Sequence, residues 1–191
     1  MRRRIAVLAV FALAGCANPA SEPGAIVVPI APDLALAIPS PADLGHRVEA
    51  VQLVVAQHDD RTAAFEGRIS AAPDHFDLVC VDSLGRKSMS IHWTPGHIQA
   101  EKAPWVPQDL QPENMLADIV MVYWPAPVVS RALAASGGTM AIDSRVRSIR
   151  VHEAEAIHID FLGDDPWNGR ATYRNLGWNY TLDIRSRVIG P

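Results

Sequence analysis

Histidine is the residue type in this chain best suited to bind a metal ion or to transfer a proton near neutral pH. The seven histidines are His46, His58, His75, His92, His97, His152 and His158. None belongs to an HxxxH or HExxH motif, and none lies in a cysteine–histidine cluster with the spacing of a zinc site. His92 and His97 flank the turn sequence TPG and could meet across a hairpin, but no third ligand accompanies them. The sequence therefore predicts no metal and no cofactor.

Candidate nucleophiles and general acids are equally isolated. The chain contains no GxSxG motif, which presents the catalytic serine of α/β-hydrolases. Asp164 and Asp165 pair two carboxylates, but they precede a proline in a turn-rich stretch, which favours a loop. Cys80 lies in the run FDLVCV, where a small buried side chain is expected rather than a reactive thiolate. We therefore expect no catalytic residue and no enzyme, with acyl or ester hydrolysis as the remaining alternative.

The apolar stretch MLADIVMVYWPAP (115–127) predicts a helix. Pro112 suits the first helical turn, and Pro125 ends the helix at Trp124, because the residue before a proline is pushed out of the α region. Apolar residues repeat at the spacing of one helix face, at Leu116, Ile119, Val120, Tyr123 and Trp124. Met115 and Val122 widen this stripe, so little polar surface remains.

A second helical segment follows at Pro127–Ala135 and is closed by Gly137 and Gly138. Asp118, the only charge of the first helix core, is expected to cap that helix or to pair with Arg131 of the second segment. Guidance of a ligand head group is the alternative role for Asp118.

Short segments of alternating polarity lie on both sides of this helical part. Met89, Ile91 and Trp93, for example, alternate with polar neighbours before the turn TPG. Period-two runs bounded by Gly, Pro and Asp are typical of antiparallel hairpins. We count roughly ten strands and no Gly-rich phosphate loop among them, so the sequence predicts a meander rather than a doubly wound fold.

The N-terminus reads MRRRIAVLAVFALAGC, with three arginines before a short apolar run. Nine apolar residues are too few to cross about 30 Å of hydrocarbon, and the flanks are those of a secretory signal. The residues LAGC resemble the lipobox of bacterial lipoproteins. That resemblance implies a signal peptide at 1–15 and acylation of Cys16, and Ala17 at the next position implies the periplasmic face of the outer membrane.

Removal of residues 1–15 takes away three arginines and moves the formal charge from −4 to −7. An acidic, exported protein has no electrostatic basis for binding nucleic acid. Residues 16–45 carry repeated prolines and are interpreted as the lipidated cysteine and an extended tether, whose part around 34–44 is expected to lie against the domain. The folded domain is predicted to span 46–191.

The predicted fold class is α+β. A single antiparallel sheet of about ten strands twists and curls if its concave face is apolar, and the two short helices are the candidates to cover that face. We therefore expect a strongly curved half-barrel roofed by two helices. Whether a ligand cavity or a solid core lies between the sheet and the helices is left open by the sequence.

The stretches IPSPADLG, HFDLVCVDSLGRKSMSIHW and LADIVMVYWP resemble an uncharacterised family of bacterial outer-membrane lipoproteins. The genes of this family accompany aryl polyene synthesis, and the resemblance covers roughly residues 37–185. The family has a glutamine at the position of Val120. This chain departs from the family there, so any polar role that the family gives this position does not carry over to Val120. The resemblance implies an architecture similar to the lipoprotein carriers LolA and LolB, with a cavity for acyl chains.

These observations favour a lipid-anchored periplasmic protein that binds and transfers or receives a hydrophobic ligand, an acyl chain or an aryl polyene lipid, with a periplasmic carrier or transporter as possible partner. The predicted cavity-lining residues are Met89, Ile91, Trp93, Leu116, Ile119, Val120, Tyr123 and Trp124. The alternative is a scaffold lipoprotein with a solid core that docks a partner protein through an exposed aromatic patch. Trp105 and Trp167 are the expected positions of such a patch.

Overall fold

The computed structural model describes residues 25–190 of the chain. The predicted signal peptide at 1–15, the predicted acylation site Cys16 and the first part of the predicted tether lie outside the described residues. Within them, the sheet strands are β1 (Val27–Ala31), β2 (Leu34–Ala37), β3 (Val48–His58), β4 (Arg61–Ala72), β5 (His75–Asp82), β6 (Lys87–Thr94), β7 (His97–Lys102), β8 (Thr139–Asp143), β9 (Val146–Val151), β10 (Ala154–Leu162), β11 (Arg170–Asn175) and β12 (Tyr180–Gly190). The helices are α1 (Pro112–Tyr123) and α2 (Ala126–Ala134), with 3-10 turns at Pro41–Leu44 and Pro166–Asn168.

Ten of these strands form one open antiparallel sheet in the order β7-β6-β5-β4-β3-β12-β11-β10-β9-β8. Two meanders, β3–β7 and β8–β12, are joined where β3 pairs with β12, with Val54 opposite Ile184. The edge strands are therefore β7 and β8, which are consecutive in sequence. The connection between them contains both helices, so the chain must pass from one edge of the sheet to the other. This confirms the predicted antiparallel sheet with two helices.

One face of the sheet is buried, and we call it the inner face. On β3, Ala50, Gln52 and Val54 point to the inner face, while Leu53 and Val55 between them are exposed. This period-two pattern places alternate side chains of a strand on opposite faces. The inner face packs against the helices, because Phe76 of β5 and Trp93 of β6 both contact Trp124 at the end of α1.

Helix α1 is buried on every side from Leu116 to Tyr123. It begins at Pro112, as predicted, and ends one residue before the predicted Trp124, which has extended backbone (φ −70, ψ 151) ahead of Pro125. Pro125 has no N–H for the Met121 carbonyl, and the Arg147 guanidinium of β9 donates to that oxygen instead, at 2.6 Å. No helix among residues 25–190 is long and apolar enough to cross a membrane.

Helix α2 lies on the surface and buries one face, through Val129, Ala132 and Leu133. It ends in a left-handed Gly137 (φ 73). The Gly138 N–H donates to the Leu133 carbonyl at 3.1 Å, as expected for a helix closed by glycine.

The predicted tether at 16–45 ends too late, because residues 27–44 belong to the folded domain. Strands β1 and β2 form a hairpin through Pro32 and Asp33, whose φ of 60 suits the third position of a type II turn. Ile30 and Leu36 are buried in the same core as the sheet and the helices. The hairpin contacts α1 through β1 and α2 through β2, and the Asn175 side-chain amide of β11 donates to the Ile30 carbonyl at 2.7 Å, so the hairpin also contacts the end of the sheet. Proline is tolerated here because a two-stranded hairpin consists of edge strands only.

Candidate ligand-binding site

The eight predicted lining residues lie in the layer between the sheet and α1, and all of them are buried. Three lie on β6 (Met89, Ile91 and Trp93) and five on α1 or its end (Leu116, Ile119, Val120, Tyr123 and Trp124). Trp93 and Trp124 are in contact, with ring centroids 5.3 Å apart, and Phe76 lies 5.9 and 5.8 Å from them. These aromatic side chains therefore pack on one another in the described state.

Tyr123 points away from this aromatic cluster. Its ring lies 4.1 Å from that of Trp167, and its hydroxyl shares a 2.5 Å hydrogen bond with Ser186 of β12. Burial raises the pKa of Tyr123 to about 12, so the phenol stays neutral. The neighbouring Gln52 Nε2 is buried and has no hydrogen-bond partner among the described residues. Trp167 is thus a core residue and cannot form the exposed patch that the scaffold alternative expected.

Asp118 neither caps α1 nor pairs with Arg131, contrary to the prediction. Its two carboxylate oxygens accept from the Tyr180 hydroxyl of β12 at 2.9 and 2.8 Å, and Arg131 is exposed on α2. Burial raises the pKa of Asp118 to about 7, and the hydrogen bond from the Tyr180 hydroxyl opposes that rise. Tyr173 of β11 stacks on Tyr180 with ring centroids 5.8 Å apart. We call Asp118, Tyr173 and Tyr180 the Asp118 site.

No group of three metal-ligating side chains comes together within residues 25–190. His92 and His97 both lie at exposed positions, and His92 shares a 2.6 Å hydrogen bond with Asp77. Cys80 is buried with its sulfur 3.7 Å from that of Met115. Burial raises the pKa of Cys80 to about 12, which keeps the sulfur a poorly nucleophilic thiol.

The outer face of the sheet carries a pocket that the sequence analysis missed. It has a volume of about 620 Å³ and is lined by both apolar and charged side chains. The apolar part of the lining includes Leu53, which is 54% exposed, and Val55, and the charged part includes Glu66, Arg68 and Arg185. The run QLVV of β3 was the available signal, because it contains three consecutive apolar residues. Alternate side chains of a strand point to opposite faces of the sheet, so these three residues cannot all be buried on the inner face.

A second exposed apolar feature lies at the turn between β5 and β6. Leu84 is 75% exposed, and Trp105, in the loop before α1, is 48% exposed. The Arg86 guanidinium lies over the Trp105 ring, 4.5 Å from its centroid, a cation–π geometry. The prediction of an exposed aromatic side chain thus fits Trp105 but not Trp167.

Comparison with known proteins places these features in a family. Residues 49–188 match the model of a family described as protein of unknown function (DUF3261). No curated protein matches the chain. A LolA superfamily protein from Nitrosomonas europaea has a similar crystal structure, with a TM-score of 0.40 and 8% sequence identity over 73% of this chain and 83% of that one. The family match covers most of the folded domain, and the chain therefore belongs to the DUF3261 family.

Proposed function

We propose that this protein binds a hydrophobic, lipid-type ligand between the inner face of its sheet and the two helices, without catalysing a reaction. It transfers or receives this ligand, an acyl chain or an aryl polyene lipid, at the periplasmic face of the outer membrane, where acylated Cys16 anchors it. A periplasmic carrier or transporter is the partner. The observation that supports this proposal most is the all-round apolar surface of α1, enclosed between the sheet and the β1–β2 hairpin.

The contacts of the helices support a half-barrel. Helix α1 contacts β6 and β7 near one edge, and α2 contacts β8 at the other edge. At 12 and 9 residues, the two helices reach roughly 31 Å end to end. Ten strands side by side in a flat sheet would span roughly 43 Å. A sheet that bends around the helices brings its edges within their reach.

The described state is a closed one, because the side chains of α1 occupy the space beneath it. A hydrocarbon chain enters this space when α1 and α2 move away from the sheet. Few polar contacts hold α1 in place, among them Tyr123 to Ser186, Tyr180 to Asp118 and Arg147 to Met121. Transfer of about twelve CH₂ groups from water contributes roughly 10 kcal/mol before ordering costs. This gain opposes the loss of these polar contacts and of the apolar contacts that α1 makes with the sheet.

The corner formed by Leu84, Arg86 and Trp105 supports a position at a membrane. Tryptophan and leucine side chains partition into the interfacial region of a bilayer, and arginine is attracted to anionic head groups. Together with the expected lipid on Cys16, this corner gives the protein a second contact with the membrane surface.

Titration with a fluorescent fatty acid tests the proposal. The full-length chain with Cys16→Ser is used, and native mass spectrometry after gentle purification tests whether a lipid is retained. Ile119→Phe, which adds volume beneath α1, is expected to weaken binding about tenfold, or 1.4 kcal/mol. Leu53→Ser, in the outer-face pocket, is the matched control and leaves the affinity unchanged. A lipid-free protein that also fails to bind the probe contradicts the proposal.

The second candidate function is a scaffold lipoprotein, favoured by the packed inner layer and by the pocket on the outer face. The apolar lining of this pocket at Leu53 and Val55 and its charged lining suit a partner protein. Photo-cross-linking in cells from a probe at position 53 distinguishes the two functions. A specific partner cross-linked there, together with failure to bind a lipid probe, favours the scaffold.

A further inference from the structure

The carboxyl group of Asp118 is buried in the only polar position at the centre of α1. Both oxygens accept from a single phenol, that of Tyr180, and no lysine, arginine or histidine forms a salt bridge with Asp118 among the described residues. A carboxylate offers about four lone-pair positions, and one hydroxyl can donate only one hydrogen. An isolated buried carboxylate costs free energy unless a further donor compensates it.

The Tyr173 hydroxyl is the second unsatisfied group at the same place. The side chain of Tyr173 is 0% exposed, and its hydroxyl has no hydrogen-bond partner among residues 25–190. Its ring stacks on that of Tyr180, whose hydroxyl donates to Asp118, with ring centroids 5.8 Å apart, so Tyr173 lies beside the carboxyl. Buried polar groups in native proteins are nearly always paired, so each exception requires an explanation. An acceptor and a donor, both incompletely satisfied, thus lie side by side where α1 meets β11 and β12.

We propose that the Asp118 site binds the polar end of the ligand and that this end is a hydroxyl group. The inference rests on the proposed function, because the hydrocarbon part of the same molecule would lie along the inner face. A hydroxyl both donates and accepts. It donates to the free lone pairs of Asp118 and accepts from the Tyr173 O–H, so it satisfies both groups at once.

Other head groups satisfy the site less well. A carboxylate or phosphate head group would lie against Asp118, where two like charges at short range repel each other strongly in a buried site. An ammonium group pairs with Asp118 but has no lone pair for the Tyr173 hydroxyl. The ligand class is therefore a long-chain alcohol or another amphiphile with a terminal hydroxyl, rather than a free fatty acid.

Competition with three probes of equal chain length tests this assignment. Dodecanol, dodecylamine and dodecanoate each displace a fluorescent hydrocarbon probe from the full-length Cys16→Ser protein at pH about 8, where Asp118, whose pKa is about 7, is mostly ionised. Dodecanol is expected to bind about tenfold more tightly than dodecanoate. Asp118→Asn removes most of this preference, and Tyr173→Phe weakens dodecanol with little effect on dodecanoate. Asp164→Asn, which removes a charge from an exposed loop, leaves the preference unchanged.

The outcomes separate the two proposals. Equal binding of dodecanol and dodecanoate, or a preference that survives in Asp118→Asn, overturns the hydroxyl assignment but leaves lipid binding intact. Tightest binding of dodecylamine overturns it in favour of a cationic head group. Failure of every probe, including the fluorescent one, overturns the proposed function and this inference with it. Tyr173→Phe removes an unpaired hydroxyl only, so the variant is expected to fold and keeps the test decisive.

Discussion

Helices α1 and α2 follow one another directly in the chain, yet they occupy different environments. From Leu116 to Tyr123 every residue of α1 is buried, whereas α2 buries one face and exposes Pro127, Arg131 and Ala134. Pro125 separates the two helices. The difference follows from what lies outside each helix. The β1–β2 hairpin and the sheet enclose α1, while α2 packs against β2 and β8 at the sheet edge.

The comparison shows that an apolar surface on all sides of a helix predicts a third layer. A helix with an apolar stripe needs one neighbouring layer, but a helix apolar all round must be enclosed. For α1 that enclosure comes from the proline-rich segment before the sheet. This dependence of α1 on the hairpin can be tested by substitutions in each layer.

The largest effect is expected for Trp124→Ala at the end of α1. The indole is fully buried in contact with Phe76 and Trp93, and its Nε1–H donates to the Ser40 carbonyl at 3.3 Å. Loss of these contacts is expected to lower the free energy of unfolding by about 5 kcal/mol. Trp105→Ala, at an exposed indole, is the control and is expected to cost less than about 1 kcal/mol. Chemical denaturation measures both values, and a similar cost for the two variants would contradict the enclosed position of Trp124.

Removal of the Asp118 charge should change how stability depends on pH. The folded-state pKa of about 7 lies above the ordinary value of 3.8, so the folded state holds the proton more tightly than the unfolded state. The free energy of unfolding is therefore highest near pH 4 and falls by about 4 kcal/mol as the pH rises to about 7, above which it levels off. Asp118→Asn should abolish this fall, measured by urea denaturation across that range. Asp164→Asn should retain it, and a wild-type curve without the fall would refute the buried position of the carboxyl.

Leu36→Ala tests whether the hairpin is part of the core or a tether. Leu36 is fully buried against the helices, so its truncation should destabilise the fold by about 3 kcal/mol. Val27→Ala, at an exposed position of the same hairpin, should change stability by less than about 0.5 kcal/mol. If thermal denaturation gave equal values for the two variants, residues 27–37 would not enclose α1.

The smallest effect is expected on the exposed face of α2. Arg131→Ala removes a guanidinium that is exposed and does not contact Asp118, so we expect a change within about 0.5 kcal/mol. A double-mutant cycle with Asp118→Asn should give no coupling energy. A coupling energy above about 1 kcal/mol would indicate that Arg131 and Asp118 form the ion pair predicted from the sequence.

Local patterns predicted much of this fold. The period-two segments gave most strands of the ten-stranded sheet, and Pro112, Pro125 and Gly137 gave the helix limits to within one or two residues. These signals are local because proline and glycine act on their own backbone and on that of their neighbours. The pairing of β3 with β12 was not predictable in this way, since nothing in either strand specifies a partner so distant in sequence.

The candidate site was only partly predictable. The apolar residues of β6 and α1 are buried in one layer, but their role as the lining of a cavity stays a prediction, because periodicity cannot distinguish a packed core from a lined cavity. The position of Asp118 was missed because its donor Tyr180 and the neighbouring Tyr173 come from strands at the far end of the chain. The hairpin was missed because proline is excluded from central strands but tolerated in edge strands, and both strands of a two-stranded hairpin are edge strands.

The pairing of the sheet's first strand with its last has a consequence for biosynthesis. A chain made from its N-terminus completes β3–β7 as a meander while the free side of β3 still lacks β12. An unpaired strand edge is a template for association with other chains, and pairing between distant strands is slow to form. The nascent protein is thus most prone to aggregation in the interval before Tyr180–Gly190 is synthesised. Truncations within this last strand should lower the soluble yield by more than the loss of the few deleted side-chain contacts would predict.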